Sequence, residues 1–279
     1  MNRYRILSKK SLAPNVNEYV IDAPLVAKHC LAGQFVILRT DEDGERVPFT
    51  VCDYSRSDGT VSVLVQEVGY TTMKLASMNE GDCLADFVGP LGNPTDLTEY
   101  RNICLVGGGI GSAVIFPQAK QLFSDGKRPD VVLGARNKDL LVYVDEFEKY
   151  SDLHIVTDDG SVGEKGFVTD MLAKLIDGGK RYDCVFAVGP LPMMKAVCSL
   201  TKRYGIHTVV SMNSMMVDGT GMCGCCRLTV GSQTKYACID GPEFDGHLVD
   251  FDEAILRSKA YKTQEKEHYC NLRRQYGKD

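Results

Sequence analysis

Eleven cysteines stand in a chain of 279 residues, and four of them, Cys223, Cys225, Cys226 and Cys238, crowd into one glycine-rich stretch. Thiolates at such spacing are soft ligands for iron or zinc. A plant-type [2Fe–2S] loop reads Cys-x4-Cys-x2-Cys followed by a distant cysteine. Cys223 and Cys226 form the x2 pair, Cys238 supplies the distant thiol, and Asp218 occupies the slot of the first cysteine. The expected ligand set is therefore Asp218, Cys223, Cys226 and Cys238. Cys225 adjoins Cys226, and neighbouring side chains diverge, so it is not expected on the same cluster. Gly219, Gly221 and Gly224 would let backbone N–H groups crowd the sulfides and tune the potential. The competing reading of the same residues is a tetrahedral structural zinc site. The other cysteines are scattered, several within apolar runs where a thiol packs as a small hydrophobe. The charged start MNRYRILSKK has no export-signal apolar region, so a cytoplasmic, disulfide-free protein is expected.

A second chemical feature is the run Gly107-Gly108-Gly109-Ile110-Gly111-Ser112, which follows an apolar strand and opens a helix. Glycines let backbone approach a pyrophosphate, and the helix start offers free amides and a positive dipole end. Gly189-Pro190, with Met193 just beyond, and Asp158-Asp159-Gly160 end two later strands, at the sheet edge where ligands bind. Arg136 and Lys138 end the second strand, where an acidic ribose contact would favour NAD. They could meet a 2′-phosphate, so NAD(H) and NADP(H) both remain open.

A third feature lies upstream. Arg46-Val47-Pro48-Phe49-Thr50 begins a strand, with a guanidinium able to pair with a diphosphate and a hydroxyl able to bond a flavin edge. Gly69-Tyr70-Thr71-Thr72 then opens a helix, a second seat for phosphate.

Four regions must position these groups. Residues 1–99 read as short β-rich runs broken by turns, interrupted by one helix near Thr71–Met78, which predicts an antiparallel barrel. Residues 100–210 alternate strands and helices, which predicts a parallel doubly wound sheet. Residues 211–248 form the cysteine segment. Residues 249–279 read as a charged helical arm, either a partner contact or a solvated terminus. Hydrophobic residues at 44%, charged residues at 25% and a net charge of −5 describe an ordinary globular chain with no call for a nucleic-acid or anionic-membrane partner. No apolar run is long enough to span a bilayer. The histidines His154, His207 and His247 are expected to be structural, since hydride and electron transfer need no acid or base from the protein.

The order of the Arg-x-Pro-aromatic-Thr strand, the Gly-x-Thr-Thr turn and the parallel α/β region resembles the ferredoxin–NADP reductase superfamily over about residues 1–210. That resemblance implies FAD on the barrel, with Thr50 near flavin N5 and Arg46 and Thr72 on the diphosphate. It also implies a nicotinamide bordered by Gly189, Pro190 and Met193. With the cysteine segment included, the chain resembles the electron-transfer subunits of dihydroorotate dehydrogenase and the small subunit of NADH-dependent ferredoxin–NADP oxidoreductase. Aspartate in the first ligand slot, the segment Ala237–His247 and the long tail look like the second group. It implies a heterodimer with a larger flavin and [4Fe–4S] subunit, ferredoxin as a redox partner, and a route to electron bifurcation. A stand-alone diaphorase and a zinc-bearing scaffold are the competing functions.

Overall fold

The structure is a computed structural model and describes residues 4–275. Its first half is built from β1 (Tyr4–Ala13), β2 (Val16–Asp22), α1 (Pro24–His29), β3 (Phe35–Arg39), β4 (Val47–Ser55), β5 (Thr60–Gln66), α2 (Tyr70–Ser77), β6 (Cys83–Leu84) and β7 (Asp86–Leu91). The strands form one sheet in the order β6-β1-β2-β5-β4-β3-β7, antiparallel at every pairing. Only Ala85 separates the two edge strands in the chain, and its N–H donates to the Arg39 carbonyl at 3.0 Å, so the sheet curls into a barrel. Strand alternation decides what the barrel presents outward. On β3, Val36 and Leu38 join the barrel core, while Phe35 and Ile37 point the other way into the core beneath the cysteine segment.

The second half runs β8 (Ile103–Gly108), α3 (Gly111–Ser124), β9 (Asp130–Ala135), α4 (Val144–Tyr150), β10 (Asp152–Thr157), β11 (Glu164–Lys165), α5 (Val168–Asp177), β12 (Cys184–Val188), α6 (Leu191–Tyr204) and β13 (His207–Ser211). These strands are parallel, in the order β11-β10-β9-β8-β12-β13. Residues of α3 and α4 belong to one core and those of α5 and α6 to another, so both faces of the sheet are covered. Chain order reverses between β8 and β12, which puts a ligand crevice at the carboxyl ends of those strands.

The cysteine segment is less independent than its sequence suggests. After the hairpin β14 (Arg227–Val230) and β15 (Gln233–Tyr236), the short β16 (Glu243–Asp245) pairs antiparallel with β13 and extends the nucleotide sheet. α7 (Phe251–Arg257) and α8 (Lys262–Gln275) complete the described chain. Among the described residues, no helix is long and apolar enough to cross a membrane.

Candidate functional site between barrel and sheet

One cavity of about 1780 Å³ lies where the barrel meets the carboxyl ends of the parallel strands. Arg46, Pro48, Phe49 and Thr50 line it from β4 and its approach, and Thr72 from α2. Gly108, Gly109 and Gly111 line it from the β8–α3 turn, Arg136 from the end of β9, and Gly189, Pro190 and Met193 from the β12–α6 turn. Five segments far apart in sequence thus meet at one cavity.

The β8–α3 turn works by close approach. A Cβ on Gly111 would sit 2.4 Å from the Val188 carbonyl oxygen, and one on Gly108 would sit 2.3 Å from the Met193 sulfur. No side chain fits between these two strand ends, so the turns of β8 and β12 pack backbone to backbone at the crevice. The Thr50 hydroxyl has no protein hydrogen-bond partner among the described residues and borders the cavity. The Arg46 Nε donates to the Val217 carbonyl at 3.3 Å and its Nη2 to the Asp218 carbonyl at 3.5 Å, tying the barrel rim to the cysteine loop.

Gly69, Thr71, Gly107, Ser112 and Asp159 do not line the cavity. Gly69 starts α2 and its N–H donates to Thr72 Oγ1 at 2.9 Å, a local cap. Thr71 Oγ1 donates to Glu45 Oε2 at 3.0 Å. A Cβ on Gly107 would lie 2.9 Å from Ile115 Cδ1, so that glycine serves strand–helix packing. Ser112 Oγ donates to the Gly109 carbonyl at 2.9 Å and braces the turn from inside. Asp159 accepts from the Ser161 N–H at 2.9 Å, and the Ser161 contacts hold its carboxyl below the usual range. Its neighbour Asp158 lines the cavity instead.

At the cysteine segment, Cys226 and Cys238 are buried with their sulfurs 3.3 Å apart. Burial pushes the Cys238 thiol up to about 12. Cys223 is exposed, and the Cys225 backbone amide holds its thiol below the usual range. Asp218 Oδ2 accepts from Thr220 N at 2.9 Å, Thr220 Oγ1 at 2.7 Å and Met222 N at 3.1 Å. The Thr220 hydroxyl holds this carboxyl below its usual range. Among the described residues no three His, Cys, Asp or Glu side chains meet at one point. The structure therefore brings Cys226 and Cys238 together, with Cys223 and Asp218 on the same loop. Gly219 is in the left-handed region, and a Cβ there would lie 2.5 Å from Ile37 Cδ1, which seats the loop on the outer face of β3. The donor set, three thiols and a carboxylate from one loop and the turn after the β14–β15 hairpin, fits iron chemistry.

Sequence reasoning missed several lining residues. Ser211 to Val217, Arg227, Arg257, Tyr261 and Glu265 all border the cavity, and so does Cys225, unlike Asp218, Cys223, Cys226 and Cys238. No motif marks them. Among the described residues no histidine lines the cavity: His154 bonds Asp130 at 2.7 Å, His247 bonds Thr201 at 3.1 Å, and His207 stacks on Tyr100.

Comparison with known proteins agrees with this geometry. Residues 213–250 match the model of the iron–sulfur cluster binding domain of dihydroorotate dehydrogenase B, and residues 105–199 match that of the oxidoreductase NAD-binding domain. A Thermotoga maritima protein described as a homolog of the electron transfer subunit of dihydroorotate dehydrogenase B (NAD(+)) is 48% identical, with 95% of this chain and 93% of that one covered. The corresponding electron transfer subunit of Fusobacterium nucleatum is 35% identical, over 76% of this chain and 84% of its own. A structure solved in work on flavin-based electron bifurcation, of an NADH-dependent reduced ferredoxin–NADP oxidoreductase, superposes with a TM-score of 0.91 at 45% identity, covering 98% of both chains. A barrel and a doubly wound sheet sharing one crevice, with an iron–sulfur domain at its rim, define an oxidoreductase of the flavoprotein ferredoxin-reductase type. Within that class, the chain belongs to the family of electron-transfer subunits of dihydroorotate dehydrogenase B and its homologs. Members named as electron transfer subunits are parts of larger enzymes.

Proposed function

We propose that the chain binds FAD on its barrel, NAD(H) or NADP(H) on its α/β unit and a [2Fe–2S] cluster in its cysteine segment, and relays electrons to a larger subunit. The observation that carries this reading is the shared cavity. A small-ligand site usually measures about 300–1,000 Å³, and one of about 1780 Å³ has room for two dinucleotides side by side. When bound, FAD supplies the conversion between two-electron hydride chemistry and one-electron traffic.

The residues of this chain bind and orient. Arg46 offers a fixed positive charge for a diphosphate, and Thr72 holds the start of α2 in shape beside it. Thr50 offers a hydroxyl at the flavin edge. Gly108, Gly109 and Gly111 bring the amides of the α3 start to a second diphosphate, and Gly189, Pro190 and Met193 border the nicotinamide. Arg136 stands where a ribose phosphate would reach. Asp218, Cys223, Cys226 and Cys238 are the proposed cluster ligands, supported by their spacing and by the Cys226–Cys238 approach of 3.3 Å.

The proposed partner is a large subunit carrying flavin and [4Fe–4S] centres, with ferredoxin beyond it. Met222 is 88% exposed, Met215 49% and Ile239 47%, so the cysteine loop carries an apolar rim of the kind that partners cover. A dihydroorotate dehydrogenase catalytic subunit is the second candidate, favoured by the family match over residues 213–250. The 98% coverage of the ferredoxin–NADP oxidoreductase chain favours the first. A cytoplasmic setting suits eleven unpaired cysteines.

Anaerobic co-purification with absorption spectra and metal analysis tests the proposal. The expected result is a yellow-brown complex with flavin and two irons per copy of this chain, together with a larger iron–sulfur flavoprotein. A colourless, zinc-containing chain would overturn it.

A further inference from the structure

The C-terminal arm is anchored at one end and crosses the cavity at the other. Phe251 is 5% exposed, the Asp250 side chain accepts from Glu253 N, and Lys195 of α6 pairs with Asp252 at 2.6 Å. Arg257 Nη2 then donates to the Cys225 carbonyl at 3.2 Å, fixing the end of α7 to the cysteine loop. Beyond Ser258 the chain passes to the barrel, where α8 packs against α2. Along this crossing Ala260, Tyr261 and Glu265 line the same cavity as Glu45, Val68 and Thr72.

Tyr261 is 57% exposed, and among the described residues its ring and hydroxyl have no partner. An aromatic ring left this open on a cavity wall, beside the segments assigned to the diphosphate, is suited to cover a planar heteroaromatic group. The flavin and nicotinamide rings are accounted for at Thr50 and at Gly189–Pro190. Past the Arg46–Thr72 diphosphate seat, on the α2 side where the arm lies, the remaining planar group of the flavin dinucleotide is its adenine. We propose that Tyr261 and the arm that carries it form the adenosine-side wall of the FAD site, an assignment that rests on the barrel being the FAD-binding unit. The arm is then a cofactor-binding element of this chain, and its recognition is selective for the dinucleotide over the mononucleotide.

The test uses the full chain, stripped of flavin and titrated with FAD and separately with FMN, for wild type, Tyr261→Ala and Tyr261→Phe. Iron content is followed in each. Tyr261→Ala should weaken FAD binding about tenfold, the weight of one aromatic pair, while FMN affinity and iron content stay unchanged and Tyr261→Phe binds FAD like wild type. Unchanged FAD affinity in Tyr261→Ala, or equal loss of FAD and FMN, would overturn the proposal. Tyr261→Ala protein that keeps FAD but no longer captures the large subunit would overturn it too and give the arm to the partner. Wild-type chain that binds no FAD would sink the barrel assignment itself, and Arg46→Ala serves as the control: it should lower FAD affinity whatever Tyr261 does.

Discussion

Cys226 stands at the point where ligand chemistry is easiest to separate from folding. Its sulfur lies 3.3 Å from that of Cys238 in a buried pocket, so Cys226→Ser removes a soft donor at nearly constant volume. The expected outcome is loss of the cluster absorption with flavin absorption retained, and an intact cluster spectrum would remove Cys226 from the ligand set. Asp218→Cys replaces a hard donor by a soft one in a loop already shaped for it. That variant should keep a cluster and shift its reduction potential, and an unshifted potential would mean that Asp218 only braces the loop through Thr220 and Met222. Glu243 poses a different test. Its carboxyl is closed in by Thr95, which donates to it, and by the Gly33 backbone, and burial pushes it up to about 7. Between the ordinary carboxylate range and pH 7 the folded chain therefore holds a proton that the unfolded chain has lost, so stability falls as pH rises through that window. Glu243→Gln should abolish this loss, making the variant relatively more stable at pH 8 than at pH 5 by about 2 kcal/mol once the partial exposure of the residue is allowed for. Chemical denaturation at both pH values measures it. The approach of Cys226 to Cys238 was legible in the sequence because the cysteines crowd into one short segment. Glu243 was not, because Gly33 and Thr95 reach it from distant segments and no pattern links them.

At the scale of elements, alternating strand and helix runs tell the parallel sheet and the barrel apart in the sequence alone, since periods of 2 and 3.6 differ over a few residues. The helix expected at Thr71–Met78 is α2, displaced by one residue, and the strands of residues 100–210 fall where the apolar runs lie. What escaped was short or edge-bound: α1, β6 and β7, the hairpin β14–β15, and above all β16. Three residues, Glu243–Asp245, carry no periodic signal, and β16 exists because β13 offers it an open edge. The consequence is mechanical. Met212 N donates to the Pro242 carbonyl at 2.8 Å and Asn93 N to the Gly241 carbonyl at 2.7 Å, so the segment holding Cys238 is stitched to both the sheet and the barrel. The β8–α3 turn shows the same dependence on close backbone approach. Gly111→Ala would drive a methyl to 2.4 Å from the Val188 carbonyl, an atom that cannot move without displacing β12. The expected cost is about 2–3 kcal/mol of folding stability, together with weakened nicotinamide nucleotide binding. A variant with wild-type stability and nucleotide affinity would mean that this contact is not what sets the crevice.

Across the whole molecule, the two cofactor-bearing halves are locked together. Lys120 of α3 pairs with Asp53 of β4 at 2.7 Å, and Tyr143 donates to Glu18 of β2 at 2.5 Å. With the crevice fixed in this way, electrons leave most directly by the cysteine loop, because it touches the cavity through Cys225 and reaches the surface at Cys223. The surface around it carries exposed apolar side chains: Met222 is 88% exposed, and Ile239 stands so close to Gly221 that a Cβ there would lie 2.7 Å from Ile239 Cδ1. Apolar side chains at the centre of a covered patch carry most of an interface's free energy, and a charge placed there is desolvated without a partner. Met222→Glu should therefore weaken association with the large subunit by tenfold or more, on the order of 2 kcal/mol. Flavin content, cluster spectrum and nucleotide binding of the isolated chain should stay at wild-type values, because Met222 offers no side-chain donor to any of them. Titration calorimetry of the purified subunits measures the loss. Wild-type affinity in this variant would move the docking face off the cysteine loop, and the electrons would then have to cross to the partner from another edge of the crevice.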